Sequence, residues 1–277
     1  MRRVRGRLGL ALLYLGAAGL AAQAVLPLLW MLSTSLKPPR EVLATPPTLI
    51  PAAPTLENYA RLLAQTAFVR YFVNSVSVAG LTVLLTMAVG AVGAYSLTRF
   101  RFPGREGIAR LILCTYMFAP IMIVVPIYIL ARRLGIVDTH TALVLSYSSF
   151  CLPFSLWLLR AFFGSIPREI EEAAAVDGCD RLGALLRVVL PLSVPGIVTA
   201  VIFAFIAAWN EYVVALTLMT DPDRKPLTVG ITSYVTAYVQ HWNSLFAASV
   251  IAIVPVVILF ALIERYLVGS LTAGSLK

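Results

Sequence analysis

Two groups of residues in this chain have types and spacings that could do chemistry. The first is Trp209-Asn210-Glu211-Tyr212, where a single carboxylate interrupts an otherwise uncharged apolar run from Val188 to Thr220. A charge deep in a bilayer costs about 2.5–3.5 kcal/mol on insertion scales, so such groups face a bundle interior, a water-filled path or a partner. Asn210 adds amide donors and acceptors, and Trp209 adds a flat aromatic face. The triplet Trp209-Asn210-Glu211 therefore reads either as a cavity-lining or gating site, or as a polar pair satisfied by a neighbouring chain. The second group is the stretch from Arg168 to Arg181. Here Glu169, Glu171 and Glu172 precede Ala173, Ala174 and Ala175, and Asp177, Gly178 and Asp180 follow. Its small alanine face permits close approach of another molecule, and the alternative is a solvated connector lying on a lipid surface. His140 and His241 have no cysteine or carboxylate cluster at metal spacing, so no metal site is expected. Cys114, Cys151 and Cys179 make no disulfide framework.

The elements that must carry these residues follow from composition. Of 277 residues, 60% are hydrophobic and 13% charged, and the mean hydropathy is +0.88. A soluble domain carries roughly 25% charged residues, so there is too little polar surface here to coat a soluble globule. A soluble enzyme, a disordered chain and a coiled coil are excluded, and a polytopic all-α membrane protein is expected. A net charge of +9 and a pI near 9.8 would suggest nucleic acid for a soluble protein. Here the basic residues sit at the ends of apolar runs, so membrane orientation accounts for them and no nucleic-acid partner is expected.

Apolar runs long enough to span predict six transmembrane helices, at about 9–33, 71–96, 109–131, 141–162, 196–219 and 245–266, within a single transmembrane domain covering 1–277. Arg2, Arg3, Arg5 and Arg7 before an apolar stretch, with Ala22-Gln23-Ala24 beyond it, follow signal-peptide grammar. The stretch continues through Leu26–Leu32, however, which favours an uncleaved anchor. With both termini cytoplasmic, fourteen of the 22 Lys and Arg residues fall on the cytoplasmic side, the sense of the positive-inside bias.

The first outer loop is proline-rich, with Pro38, Pro39, Pro46, Pro47, Pro51 and Pro54, and Thr55 is placed to cap a short helix over Leu56–Leu63. Between the fourth and fifth spans, Ser165 can cap and Pro167 suits a first helical turn. Glu169, Glu171 and Glu172 complement the helix dipole, and Gly178 stops the helix in the left-handed conformation. Asp180 can then cap a second helix carrying Leu182, Leu185, Leu186, Val189 and Leu190 at amphipathic spacing. Pro120, Pro126, Pro153 and Pro255 fall inside spans and would kink them.

Glu172-Ala173-Ala174, Gly178 and Val188-x-Leu190-Pro191 resemble the EAA loop of ABC importer permeases, with glycine and proline at the family spacing. Ser35-Leu-Lys-Pro-Pro, Thr55-Leu-Glu-Asn-Tyr59, Trp209-Asn-Glu-Tyr212 and Leu271-Thr-Ala-Gly274 resemble the sugar-importer branch, specifically its MalG-like subunits. The resemblance covers essentially the whole chain. It implies a type I ABC importer permease fold with a permease core over 71–266 and a cytoplasmic coupling loop over 164–193. It also implies that Glu171, Glu172, Ala173, Ala174, Asp177 and Gly178 meet a cytoplasmic ATPase subunit, with Glu172 as acidic anchor, and that the tail Leu271–Lys277 touches the ATPases too. The third outer loop, Asp221–Ser244, resembles the segment that reaches into the binding protein.

The partners implied are a second, MalF-like permease, two ABC ATPases and an extracytoplasmic sugar-binding protein, in a bacterial or archaeal cytoplasmic membrane. The substrate implied is a disaccharide or short oligosaccharide, with Trp209, Asn210 and Glu211 along its path; glycerol-3-phosphate importers share the look. ATP and Mg would belong to the ATPases. This chain's lysines, Lys37, Lys225 and Lys277, follow no glycine, so it has no phosphate-binding Gly-Lys-Ser/Thr loop and is not expected to be an enzyme. An ion-driven secondary transporter would show paired repeats and several intramembrane ionisable groups. An amino-acid or peptide permease would share the EAA loop but not the Trp209-Asn-Glu and tail motifs.

Overall fold

The computed structural model describes residues 2–234 and 242–273; His241, the middle of the third outer loop and the end of the tail lie outside the described residues. Those described form helices and connecting turns, with no strand among them. In chain order the helices are α1 Arg2–Ser35, α2 Pro39–Val42, α3 Glu57–Gln65, α4 Phe68–Arg99, α5 Arg105–Thr115, α6 Pro120–Arg133 and α7 His140–Ser165. There follow α8 Arg168–Val176, α9 Arg181–Ala184, α10 Leu190–Leu192, α11 Val194–Asn210, α12 Val213–Leu218, α13 Leu227–Ile231 and α14 Trp242–Ala273. Four stretches are long and apolar enough to cross a membrane: Leu12–Ser35, Phe68–Arg99, His140–Ser165 and Trp242–Leu262. Two further crossings arise if each of two bent helix pairs counts as one.

Both bent pairs correct the sequence reading. The third apolar run is not one helix, because α5 and α6 meet at 99°. Pro120 pushes its predecessor out of the helical region, and Ala119 is extended at ψ 141°. The fifth run breaks twice. α9–α10 meets α11 at 84°, and the chain leaves the helix again at Glu211, where ψ is 129°. The amphipathic second helix of the loop is also interrupted: Leu185–Val189 form a π-helical turn. Pro191 has no N–H to give to the carbonyl four residues back and its ring clashes there, so the ladder widens just before it. Of the leucines expected on one buried face, Leu185 is buried, whereas Leu182 and Leu186 are more than half exposed.

The chain forms two compact units, residues 1–68 with 231–254, and residues 69–230 with 255–277. In the first, the proline-rich segment is tied down by polar groups. Lys37 is 2% exposed; its ammonium lies 4.6 Å over the Trp30 ring and donates to the Thr48 carbonyl. Asn58 donates to the carbonyls of Ser35 and Lys37, both at 2.8 Å, and accepts from Asn243 at 2.9 Å. Thr55 lies one residue outside the expected place: Leu56 occupies the cap position of α3, while the Thr55 hydroxyl accepts from the Glu57 amide at 3.1 Å.

The second unit holds a core of Ala94, Tyr95, Leu97, Leu156, Leu159, Phe163, Leu185, Val189 and Ala200. It joins one end of α4 and α7 to the π-turn and α11. Gly196 sits against the Phe162 ring, where a Cβ would come within 2.4 Å of it, so this crossing depends on glycine. The ends brought together here carry the stretch from Arg168 to Arg181.

Candidate functional site: a short anchored helix and a broken span

Alanine and glutamate favour helix in Arg168–Val176, and its end is built into the sequence. Gly178 takes φ +87°. The Cys179 amide donates to the Ala174 carbonyl at 2.9 Å and the Gly178 amide to Ala175 at 3.1 Å. These are the two bonds of a Schellman cap, which requires a residue free to be left-handed. Asp180 then caps α9, accepting from the Gly183 amide at 2.8 Å. The helix starts later than expected, since Pro167 is extended and stands at the cap position. The Ser165 hydroxyl donates to the Phe162 carbonyl at 2.7 Å and caps nothing.

Adjacent glutamates of α8 have different surroundings. Glu171 turns inward and accepts from Arg99 Nε at 2.5 Å and from the Tyr95 hydroxyl at 3.0 Å. Arg99 also donates to the Ile166 carbonyl at 3.1 Å. The two charged side chains are 10% and 12% exposed, so this pair is largely withdrawn from water. Glu172 and Ala173 are exposed, Ala174 is half-buried, Val176 is 88% exposed, and Asp177 and Gly178 are exposed. The structure thus brings the expected residues onto one short helix and its C-terminal cap, and divides them into an inward anchor and an outward face. Beside α8 lies an open cleft of about 490 Å³ whose walls include Glu172, Arg101 and Arg181. The Arg181 guanidinium stands 4.7 Å over the Phe100 ring. Arg99 and Tyr95 were not singled out from sequence. Their signal was four-residue spacing on one face at the end of a span.

The intramembrane triplet takes a form neither sequence reading anticipated. The Glu211 carboxylate accepts from the amides of Val214 at 3.0 Å and Ala215 at 3.1 Å, so it caps α12, where the helix dipole favours a negative charge. Its carbonyl accepts from the Thr228 hydroxyl at 2.8 Å. The charge is thereby met within its own chain. Trp209 is 5% exposed; its ring stacks on Phe205 at 5.4 Å and meets Phe72 edge-on at 5.7 Å. The flat face expected to be open to a ligand is occupied by the protein. Asn210 is exposed and donates to the Ile206 carbonyl at 3.0 Å.

A further latch lies at the opposite end of α7. Asp138, at φ 59°, accepts from the amides of Thr220 at 2.6 Å and Asp221 at 2.9 Å and from the Thr220 hydroxyl. Its carbonyl accepts from Arg224 at 2.6 Å. Burial works to raise the Asp138 pKa, but the Thr220 hydroxyl, these two amides and the Arg224 charge outweigh it and hold the carboxyl below its ordinary value. A folded pKa below the unfolded one gives stability that is complete above the unfolded value and lost as pH falls through the folded one. Asp138→Ala should therefore destabilise the assembled protein at pH 7 by about 1.5 kcal/mol, the low end for charge-assisted bonds because the site is partly exposed. The gap between variant and wild type should close on acidification below pH 4. Thermal unfolding across a pH series checks this; a gap independent of pH would mean that the carboxylate is not what holds the turn.

With fold and site in place, comparison with known proteins identifies the class. The family described as "Binding-protein-dependent transport system inner membrane component" matches residues 86–272. The chain is 39% identical over 97% of its length to the sulfoquinovosyl glycerol transport system permease protein SmoH of Agrobacterium fabrum, covering 94% of that protein. It is 36% identical to the trehalose/maltose transport system permease protein MalG of Thermococcus litoralis, with 96% of each covered. A chain from the crystal structure of a bacterial ABC transporter involved in the import of the acidic polysaccharide alginate superposes with a TM-score of 0.82 at 26% identity, covering 95% of this chain and 96% of that one. The chain belongs to the family of binding-protein-dependent transport system inner-membrane components. It is a multi-pass ABC importer permease subunit.

Proposed function

We propose that this permease subunit carries a sugar, a disaccharide or short oligosaccharide, across the cytoplasmic membrane as part of an ATP-driven importer. Sugar or glycoside transport is what the names of SmoH and MalG state for those proteins. In this reading the chain crosses the membrane six times, as a single transmembrane domain whose permease core is 71–266, with both termini and the 164–193 loop in the cytoplasm. Two ATPase subunits, which bind ATP and Mg, meet the loop. A second, MalF-like permease completes the translocation path, and an extracytoplasmic binding protein delivers the sugar.

The single observation that carries the coupling role is the division of α8 into a fixed and a free face. Glu171 ties the helix to Arg99 and Tyr95, while Glu172, Ala173, Val176, Asp177 and Gly178 present an exposed surface and Ala174 lies half-buried between the two. A helix of nine residues is marginal alone, so its anchorage lets a push on the free face reach α4. Along the path, exposed Asn210 and the break at Glu211 are the groups that meet the sugar. Trp209, buried against Phe205 and Phe72, holds its place in the fold instead.

The test is uptake by the complex, reconstituted with its partners, over a panel of labelled sugars and glycerol-3-phosphate. Saturable, ATP- and binding-protein-dependent uptake of a sugar is expected; uptake of glycerol-3-phosphate alone, or uptake driven by an ion gradient, would overturn the reading. In intact cells expressing the complex, an impermeant thiol reagent should label Ala53→Cys but not Val176→Cys, both exposed positions, in a background lacking the native cysteines.

A further inference from the structure

A second cleft, of about 450 Å³, opens on the other side of the α4 end, between α4, α5 and α7. Four arginines line it: Arg99, Arg105, Arg160 and Arg168. Arg99 is matched by Glu171. Arg105 and Arg160 share one carboxylate, that of Glu106, at 3.1 and 2.6 Å. Arg168 donates to the Thr98 carbonyl at 3.3 Å and forms no salt bridge among the described residues. Four guanidinium groups thus stand against two carboxylates, leaving the cleft strongly cationic.

The opposite wall is apolar and open. Trp157 is 49% exposed, and Ala161 and Gly164 continue the same exposed stripe of α7. A Cβ on Gly164 would meet nothing nearer than Thr98 Cγ2 at 4.0 Å, so there is room against the helix. The stripe lies in the last turns of a stretch apolar enough to span the membrane, the depth at which tryptophan and arginine gather at a lipid–water boundary. A free anion in water would use the arginines but has no need of an apolar wall running into a span. A zwitterionic headgroup brings its own ammonium, which offsets the attraction. Basic pockets between spans at this depth suit anionic headgroups.

We propose that this cleft binds the phosphate of an anionic phospholipid headgroup, with the acyl chains along the Trp157 stripe of α7. The proposal does not depend on which solute is carried, although the cleft shares Arg99 with the anchor of α8. The experiment is native mass spectrometry of the whole delipidated transporter complex, titrated with dioleoylphosphatidylglycerol or dioleoylphosphatidylcholine. Wild type should hold one tightly bound phosphatidylglycerol per copy of this chain and release phosphatidylcholine readily. Each basic residue near the surface adds about a factor of five, so Arg105→Gln with Arg168→Gln should weaken phosphatidylglycerol binding about 30-fold and leave phosphatidylcholine unchanged. Gly164→Leu, which projects an isobutyl group from the α7 wall into the cleft and removes no charge, should also abolish the tight site, and it decides the matter if the double variant fails to assemble. Equal retention of both lipids by wild type would overturn the proposal, as would tight phosphatidylglycerol binding surviving in Gly164→Leu. Displacement of the lipid by millimolar inorganic phosphate would assign the cleft to a free anion instead.

Discussion

Glu171→Ala should leave the complex hydrolysing ATP with little or no sugar uptake. The substitution removes the carboxylate that receives both Arg99 and the Tyr95 hydroxyl and leaves a guanidinium that is 10% exposed without its counter-charge. Breaking a fully buried pair from one side costs about 3–5 kcal/mol, more than the pair contributes relative to an apolar replacement; this pair is part-buried beside an open cleft, so its cost lies at the low end or below. The loss falls on the contact that fixes α8 to α4, so under the proposed coupling role the helix would still meet an ATPase but would no longer move α4 with it. Replacing both partners, Arg99→Met with Glu171→Leu, should restore most of the thermal stability, because no charge is then stranded. It should not restore uptake, because the forked contact that sets the helix position is gone. Glu169→Ala, at an exposed site on the same helix, should change stability by about 0.5 kcal/mol or less. Hydrolysis and uptake measured side by side on these variants check the argument. Wild-type coupling in Glu171→Ala would show that α8 is positioned by something other than this pair.

What sequence could and could not show follows from the range of each interaction. Gly178, Asp180 and the cap they form were legible because every partner lies within a few residues and the constraint is a backbone one. The anchor of α8 was not, because Arg99 and Glu171 are 72 residues apart, and alone each looks like an ordinary charge at a span end. Asp138 was missed for the same reason: its carboxylate partners lie 82 and 83 residues on. The triplet at 209–211 shows a different failure. Residue types marked the place in the apolar run where the helix breaks, but the role of an aromatic face depends on what packs against it. Here that is Phe205 and Phe72. The carboxylate was read as needing a ligand or a partner chain, although a helix N-terminus beginning two residues on could receive it, which is visible only once the span is known to break. Proline gave the converse case. Pro120 signalled a kink, but the 99° turn takes both the extended Ala119 and the end of α5 before it.

Gly178→Val should uncouple hydrolysis from uptake while leaving membrane insertion intact, and the comparison with Gly178→Asn should say why. At φ +87° a residue with a Cβ is strained by about 1–2 kcal/mol, and β-branching makes valine a genuine outlier there. Within the chain there is no steric obstacle, since a Cβ at this position meets nothing within 4 Å. Two causes of failure are therefore separable. If the left-handed turn itself matters, because it directs Asp177 and Cys179 and ends α8 where it does, asparagine should retain most of the uptake, since it tolerates that conformation. If the glycine matters because an ATPase comes close to its Cα, asparagine should fail as badly as valine despite a relaxed backbone, and the number of ATPase subunits that copurify should fall in both. Glu172→Lys reverses a charge on the exposed face without touching the cap. It should match the second pattern, with fewer bound ATPase subunits and intact thermal stability of the membrane part. Full subunit stoichiometry with wild-type hydrolysis and uptake in all three variants would make α8 a connector and remove the coupling role.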